Sequence, residues 1–125
     1  MKKTISMIAA CALLSISGAA SAGVSQTWSC TLHDGQTGDD FTALSQRWLD
    51  AAKGINEDAS VQLYFPVAGE RENMNIIFVF TMPDFEAWGA FEDAYPGSPV
   101  AAVDATWDEN SECGVSTLWY REDLE

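Results

Sequence analysis

His33 and Asp34 form the one pair in the sequence that places a carboxylate beside a side chain titrating near neutral pH. They follow an alternating run that ends at Leu32, so we expect them in a loop at the carboxyl end of a strand, where it would border a pocket. A general base also needs a partner positioned on its ring. The pair is therefore a candidate catalytic site, and a solvated turn is the alternative.

An acidic series later in the chain has the spacing of metal ligands. Oxygen-bearing side chains occupy every second position, as in calcium loops. The series comprises Asp104, Thr106, Asp108, Asn110 and Glu112. An EF-hand would need Gly and Glu where Glu109 and Val115 stand. Asp104, Asp108 and Glu112 are thus candidates for weak cation binding, and the sequence predicts neither a dedicated metal site nor a cofactor.

Two residues are candidates for ligand binding because each is chemically unlike the sequence around it. Trp107 lies in the acidic segment with no apolar periodicity around it, so we expect an exposed aromatic suited to a ligand or partner. Arg47 is a rare cation in an acidic chain and could hold an anionic ligand. Neutralisation of nearby carboxylates is the alternative for Arg47.

Three further aromatic residues are candidate walls of a pocket between a sheet and its helices. They are Tyr64, Trp88 and Trp119. Core packing is nevertheless the explanation we favour for the two tryptophans, as it is for Trp28 and Trp48.

Cys30 and Cys113 are the two cysteines that follow the amino-terminal segment. Thiol catalysis has little support, because no Cys-x-x-Cys occurs and the single histidine is only three residues from Cys30. Two cysteines and one histidine at these positions also match no usual zinc spacing. A disulfide is therefore predicted, and the long loop that it closes would make it worth about 4 kcal/mol of stability.

Residues 1–22 have the three parts of a secretory signal: two lysines, an apolar run, and small residues ending at Ala22. The apolar run is shorter than the roughly 20 residues that span a membrane. Cleavage after Ala22 would deliver residues 23–125 as one domain to the periplasm or the exterior. Lipid attachment at Cys11 is an alternative, although almost no apolar run precedes that cysteine.

Charge and composition exclude several classes of partner. The 125 residues carry 19 acidic and 6 basic side chains, a formal net charge of −13, and loss of the two lysines of the signal makes it −15. Such a charge disfavours nucleic acid and anionic membrane surfaces. A hydrophobic fraction of 47%, with five Trp, six Phe and three Tyr, is enough to build a folded core.

Hydrophobic periodicity predicts four strands and two main helices. The strands are expected over 25–32, 61–67, 74–82 and 114–120, and the helices over about 41–53 and 84–95, with one helical turn near 100–103. Asp39 and Asp40 are the expected caps of the first helix. A proline in the second predicted strand favours an edge position, and a hairpin connection is expected over 68–73.

The order βαββαβ predicts a ferredoxin-like α+β sandwich, in which one antiparallel sheet of order 4-1-3-2 carries two helices on one face. In this topology Cys30 and Cys113 fall on neighbouring strands. If they share a face, Val115, Thr117 and Trp119 should turn toward the helices. Ser116, Leu118 and Tyr120 should then lie on the opposite, open face, which is mixed in polarity and suits a second sheet, and thus a homodimer.

The element order, the aromatic helices and the half-apolar sheet face resemble the dimeric α+β-barrel superfamily, which includes proteins similar to antibiotic-biosynthesis monooxygenases. This resemblance implies pairing of two sheets and a ligand between sheet and helices. Several members oxidise small aromatic compounds or degrade haem. No catalytic motif of that superfamily is matched, so no catalytic residue is carried over.

The sequence therefore predicts an exported, dimeric binding or interaction module that takes an unidentified small molecule. A cofactor-independent enzyme of the dimeric-barrel type is the alternative, and an acidic structural protein that associates with cations is a third. A cavity of roughly 300 Å³ or more with converging polar groups would distinguish a ligand site from a solid aromatic core.

Overall fold

A computed structural model describes residues 23–69 and 75–124 of the chain. The predicted export signal and most of the predicted hairpin connection lie outside the described residues. Within the described part of the chain, no helix is long and apolar enough to cross a membrane.

The chain forms a four-stranded antiparallel sheet with its helices on one face. The elements are β1 (Gly23–Leu32), α1 (Gly38–Ile55), β2 (Ser60–Tyr64), β3 (Ile76–Met82), α2 (Phe85–Ala94), α3 (Pro99–Asp104), a 3₁₀ turn (Trp107–Glu109) and β4 (Ser111–Arg121). The strands are ordered β2-β3-β1-β4, and all neighbours are antiparallel. The predicted ferredoxin-like topology and the edge position of β2 are confirmed.

Local capping explains where the helices begin. The Thr37 hydroxyl accepts a hydrogen bond from the backbone N–H of Asp40, and the Asp40 carboxylate accepts one from the backbone N–H of Thr37. This capping box starts α1 at Gly38 with Thr37 as the N-cap, so the prediction of Asp39 as a cap was wrong, whereas Asp40 takes part in the cap as the third residue of the helix. Asp84 caps α2 with its side chain.

Cys30 and Cys113 form the predicted disulfide and are paired across β1 and β4. The next pair along is Trp28 with Ser116, so β4 carries one residue more than β1 over this interval. This β-bulge reverses the faces of all that follows in β4, because side chains alternate with a period of two.

The predicted faces of β4 were therefore wrong. Thr117 and Trp119 pair with Thr27 and Ser25 on the open face. On the helix face, Tyr120 stacks on Phe85 at the start of α2, with ring centroids 6.2 Å apart.

The core lies between the sheet and the helices. It contains the apolar stripe of α1, the inward side chains of β3, and single residues of α2 and α3. Its members include Phe41, Leu44, Trp48, Phe78, Phe80, Met82, Phe91 and Val100. No described helix covers the opposite face of the sheet, and this open face carries Tyr64, Ile77, Val79 and Trp119.

Candidate functional site

A pocket of about 470 Å³ lies between the sheet and the helical layer and opens to solvent. The sheet contributes Trp28, Phe78 and the disulfide to its wall. From the helical side the pocket is lined by Trp48, Tyr95, Ala101, Asp104, Ala105, Trp107 and Asp108. Its size exceeds the roughly 300 Å³ expected of a small-molecule site.

Phe78 is surrounded by three indole rings. The ring centroids of Trp28, Trp48 and Trp107 lie 5.7, 5.3 and 5.2 Å from that of Phe78. The indole planes are inclined to the phenyl plane by 68°, 84° and 86°, respectively. Each indole therefore packs edge-to-face on Phe78, and all four rings line the pocket.

The local sequence explains both the aromatic walls and the space between them. Trp28 and Phe78 are inward positions of paired strands, and Trp48 lies on the buried stripe of α1. Ala101 and Ala105 are one helical turn apart on and just beyond α3. Because their side chains are single methyl groups, they leave open the volume that larger residues would fill.

The carboxylate of Asp104 is the central polar group of the pocket. Its Oδ1 accepts a hydrogen bond from Nε1 of Trp48 at 3.1 Å, and its Oδ2 accepts one from the hydroxyl of Tyr95. Burial raises the pKa of Tyr95, and the hydrogen bond to Asp104 and the negative charges of Asp104 and Glu92 raise it further. Tyr95 therefore stays protonated and serves as a donor.

Trp107 is a buried wall of this pocket, with 8% of its surface exposed. The prediction of an exposed Trp107 was wrong, because its ring packs edge-to-face against Phe41 and Phe78. Its Nε1 donates a hydrogen bond to Sγ of Cys113 at 3.0 Å.

The three acidic residues that are candidates for cation binding do not lie at one site. Asp104 and Asp108 both line the pocket, whereas Glu112 is exposed on β4 and is not among the lining residues. Within residues 23–69 and 75–124, no group of three or more His, Cys, Asp or Glu side chains is arranged to hold a metal ion.

His33 joins the end of β1 to the rim of the pocket. Its Nε2 lies 2.7 Å from the backbone oxygen of Asp108, and its backbone N–H donates to the backbone oxygen of Asn110 at 3.0 Å. Since a carbonyl oxygen can only accept, Nε2 carries the proton. Asp34 is exposed in the following turn and does not line the pocket.

The remaining predicted residues lie elsewhere. Trp88 is half-buried and donates from Nε1 to Gln26 at 3.3 Å. Trp119 and Tyr64 lie on the open face. The prediction that Trp119 belongs to the core was wrong, because the bulge in β4 turns its side chain away from the helices. Arg47 lines a second hollow of about 390 Å³.

Most residues that line the second hollow have polar side chains, and one of them is Asn110, whose buried Oδ1 has no hydrogen-bond partner among the described residues. The Nδ2 of Asn110 donates to Gln36 at 2.9 Å. An ordered water would satisfy the remaining oxygen.

The sequence placed Trp28 and Trp48 in the core and indicated no role in a ligand site for Tyr95, Ala101 or Ala105. The two tryptophans do pack against core residues, so their assignment was incomplete, since the same rings also border a void. The one available signal was the run of small residues in the segment between the second helix and the last strand, which contains Ala101, Ala102 and Ala105.

We expect the Tyr95→Phe variant to lose less stability at high pH than the wild type. The folded-state pKa of Tyr95 lies above that of the unfolded chain. The contribution of Tyr95 to the free energy of unfolding is therefore fully present below about pH 10. It is lost as the pH rises through the folded-state pKa of Tyr95. Urea unfolding between about pH 8 and about pH 11 measures this slope. A slope in Tyr95→Phe equal to that of the wild type would contradict the assignment.

Comparisons with known proteins establish the fold of this chain. No protein-family model and no curated protein matches the sequence. The chain is similar in structure to SnoaB, a cofactor-independent oxygenase from Streptomyces nogalater, with 12% identity, a TM-score of 0.58, and coverage of 82% of this chain and 96% of that one. It is similar to a dimeric ferredoxin-like protein of unknown function from Thermobifida fusca, with 13% identity, a TM-score of 0.56, and coverage of 80% and 92%. A hydroxynitrile lyase from Passiflora edulis matches with 5% identity, a TM-score of 0.60, and coverage of 84% and 98%. The chain thus has the ferredoxin-like fold that its sequence predicts, the fold of the dimeric α+β-barrel proteins that it resembles.

Proposed function

We propose that this protein is a small exported binding module, which takes up a small molecule in the pocket between its sheet and its helices and pairs with a second copy through the open face. The observation that carries the proposal is the pocket itself. Its volume of about 470 Å³, its aromatic walls and its one doubly hydrogen-bonded carboxylate are the features of a ligand site.

The arrangement of polar groups favours binding over proton-transfer catalysis. Both oxygens of Asp104 already accept hydrogen bonds, one from Trp48 and one from Tyr95. The raised pKa of Tyr95 keeps its proton in place. A general base needs an oxygen or nitrogen directed at the substrate, and these two groups are directed at each other. The oxygenase alternative draws support from SnoaB at the level of the fold alone.

The composition of the open face supports pairing. On the open face, Trp119 and Tyr64 lie on the outer strands with 55% and 58% of their surfaces exposed. Between them on β3, Ile77 is half-buried and Val79 is only 9% exposed. Exposed aromatic side chains on one sheet face are typical of a surface that a partner covers. The similar protein from Thermobifida fusca is described as dimeric.

Export draws its support from the sequence of residues 1–22 and from the disulfide. Disulfides persist in oxidising compartments such as the periplasm, and the Cys30–Cys113 bond joins the two longest strands of the sheet.

Filling the pocket should weaken binding of a neutral aromatic probe. Ala101 lines the pocket, whereas its neighbour Ala102 is exposed on the same helix and is not among the lining residues. We expect Ala101→Phe to weaken binding of N-phenyl-1-naphthylamine at least ~10-fold, the effect of about 1.4 kcal/mol. Ala102→Phe should bind as the wild type does. Probe fluorescence measures the affinity, and thermal unfolding verifies that both variants fold.

If Ala101→Phe fails to fold, Ala105→Phe places the same ring at the exposed rim of the pocket. Equal probe affinity in the wild type and in either folded pocket variant would contradict the proposed site.

Pairing through the open face should be sensitive to Trp119 and insensitive to its neighbour. Trp119 and Tyr120 are exposed to 55% and 58%, but they lie on opposite faces of β4. Trp119→Glu should weaken dimerisation by ~30-fold or more, which corresponds to the loss of about 2 kcal/mol at an interface hot spot. Tyr120→Glu should leave it unchanged. Sedimentation equilibrium measures both, and a monomeric wild type would overturn the pairing proposal.

A further inference from the structure

We propose that the ligand of the aromatic pocket is an organic cation that carries a quaternary ammonium group. This inference rests on the proposed binding function, because it names the chemical class that the same pocket would take. It is carried by the arrangement of rings and carboxylates in the wall.

The aromatic walls suit an organic cation. Three indoles, the phenyl ring of Phe78 and the phenol ring of Tyr95 line one pocket together with two carboxylates. A cation near the face of an aromatic ring is attracted by the ring quadrupole, most strongly by tryptophan. Enclosure by several tryptophans is a recognised way of holding a methylated ammonium group.

The polar groups of the wall exclude an anion. Asp104 and Asp108 are the charged residues among the described residues that line the pocket, and none of those residues is Lys, Arg or His. Two of the three indole N–H groups are already used, since Trp48 donates to Asp104 and Trp107 donates to Cys113. A bound carboxylate or phosphate would therefore meet negative charge and few donors.

The same hydrogen bonds favour a quaternary over a primary ammonium group. A primary ammonium has three N–H donors that need acceptors when it leaves water. Trp48 and Tyr95 already occupy one acceptor position on each oxygen of Asp104, which leaves fewer acceptors for three N–H donors. A quaternary ammonium has no N–H donor to satisfy, so it needs only the nearby negative charge and the ring faces.

The charge of the whole chain acts in the same direction. Without the amino-terminal signal, the formal net charge is −15. Such a field raises the local concentration of cations and repels anions, with an effect that diminishes as salt screens it.

The test uses two probes of the same shape and different charge. Choline carries a trimethylammonium group, and in 3,3-dimethylbutan-1-ol a carbon atom replaces the nitrogen, which removes the charge. Titration calorimetry of the disulfide-bonded protein should show choline binding at least ~10-fold more tightly than the neutral alcohol. Ethanolamine, with a primary ammonium group, should also bind more weakly than choline.

Asp104→Asn tests the role of the carboxylate, because it keeps the size of the side chain and removes its charge. We expect choline affinity to fall ~10-fold in this variant, while affinity for the neutral alcohol stays within about twofold. If Asp104→Asn fails to fold, Asp108→Asn removes the second, exposed carboxylate of the wall and should weaken choline alone.

The outcomes separate this inference from the proposed function. If the neutral alcohol binds as tightly as choline, or if choline fails while N-phenyl-1-naphthylamine binds, the cation assignment is overturned and the binding module stands. If neither choline nor the naphthylamine binds to the folded wild type, both proposals fall. Selective binding of choline that is lost in the Asp104→Asn variant supports both.

Discussion

The carboxylate of Asp104 fastens three helices to one another above the sheet. It lies at the end of α3 and accepts hydrogen bonds from Trp48 of α1 and from Tyr95 at the end of α2. Burying half of a carboxylate costs free energy unless its oxygens accept hydrogen bonds. The donors on Trp48 and Tyr95 therefore stabilise a negative charge within an aromatic wall. They also fix Trp48 and Tyr95 in place, which keeps the wall in one arrangement around an open volume.

The disulfide and the bulge beside it determine how the sheet side of the pocket is built. Cys30 and Cys113 hold β1 and β4 together at the end of the sheet where the pocket lies. One extra residue in β4 then sends Trp119 to the open face and Tyr120 to the helix face. The proposed ligand site and the proposed pairing surface therefore lie on opposite faces of one sheet, so a ligand and a second copy would not compete for the same face.

Much of the fold follows from local patterns, because alternation along β1 and β3 and the apolar stripe of α1 are each visible in a few residues. The bulge in β4 is not visible in any local pattern, since it depends on the pairing of Trp28 with Ser116, two residues that are 88 positions apart in the sequence. Burial of Trp107 likewise depends on a distant partner, Phe78. The pocket is harder still to predict, because a void is defined by what small side chains such as Ala101 do not fill.

Ligand binding in the aromatic pocket is tested most directly by recording which indole N–H signals move when choline is added, using two-dimensional NMR of the ¹⁵N-labelled protein. Three of the five tryptophans line the pocket, while Trp88 and Trp119 lie outside it and serve as internal controls. We expect the signals of Trp28, Trp48 and Trp107 to shift together and saturate with one affinity, and the other two to stay in place. Uniform movement of all five signals, or movement of none, would contradict ligand binding in this pocket.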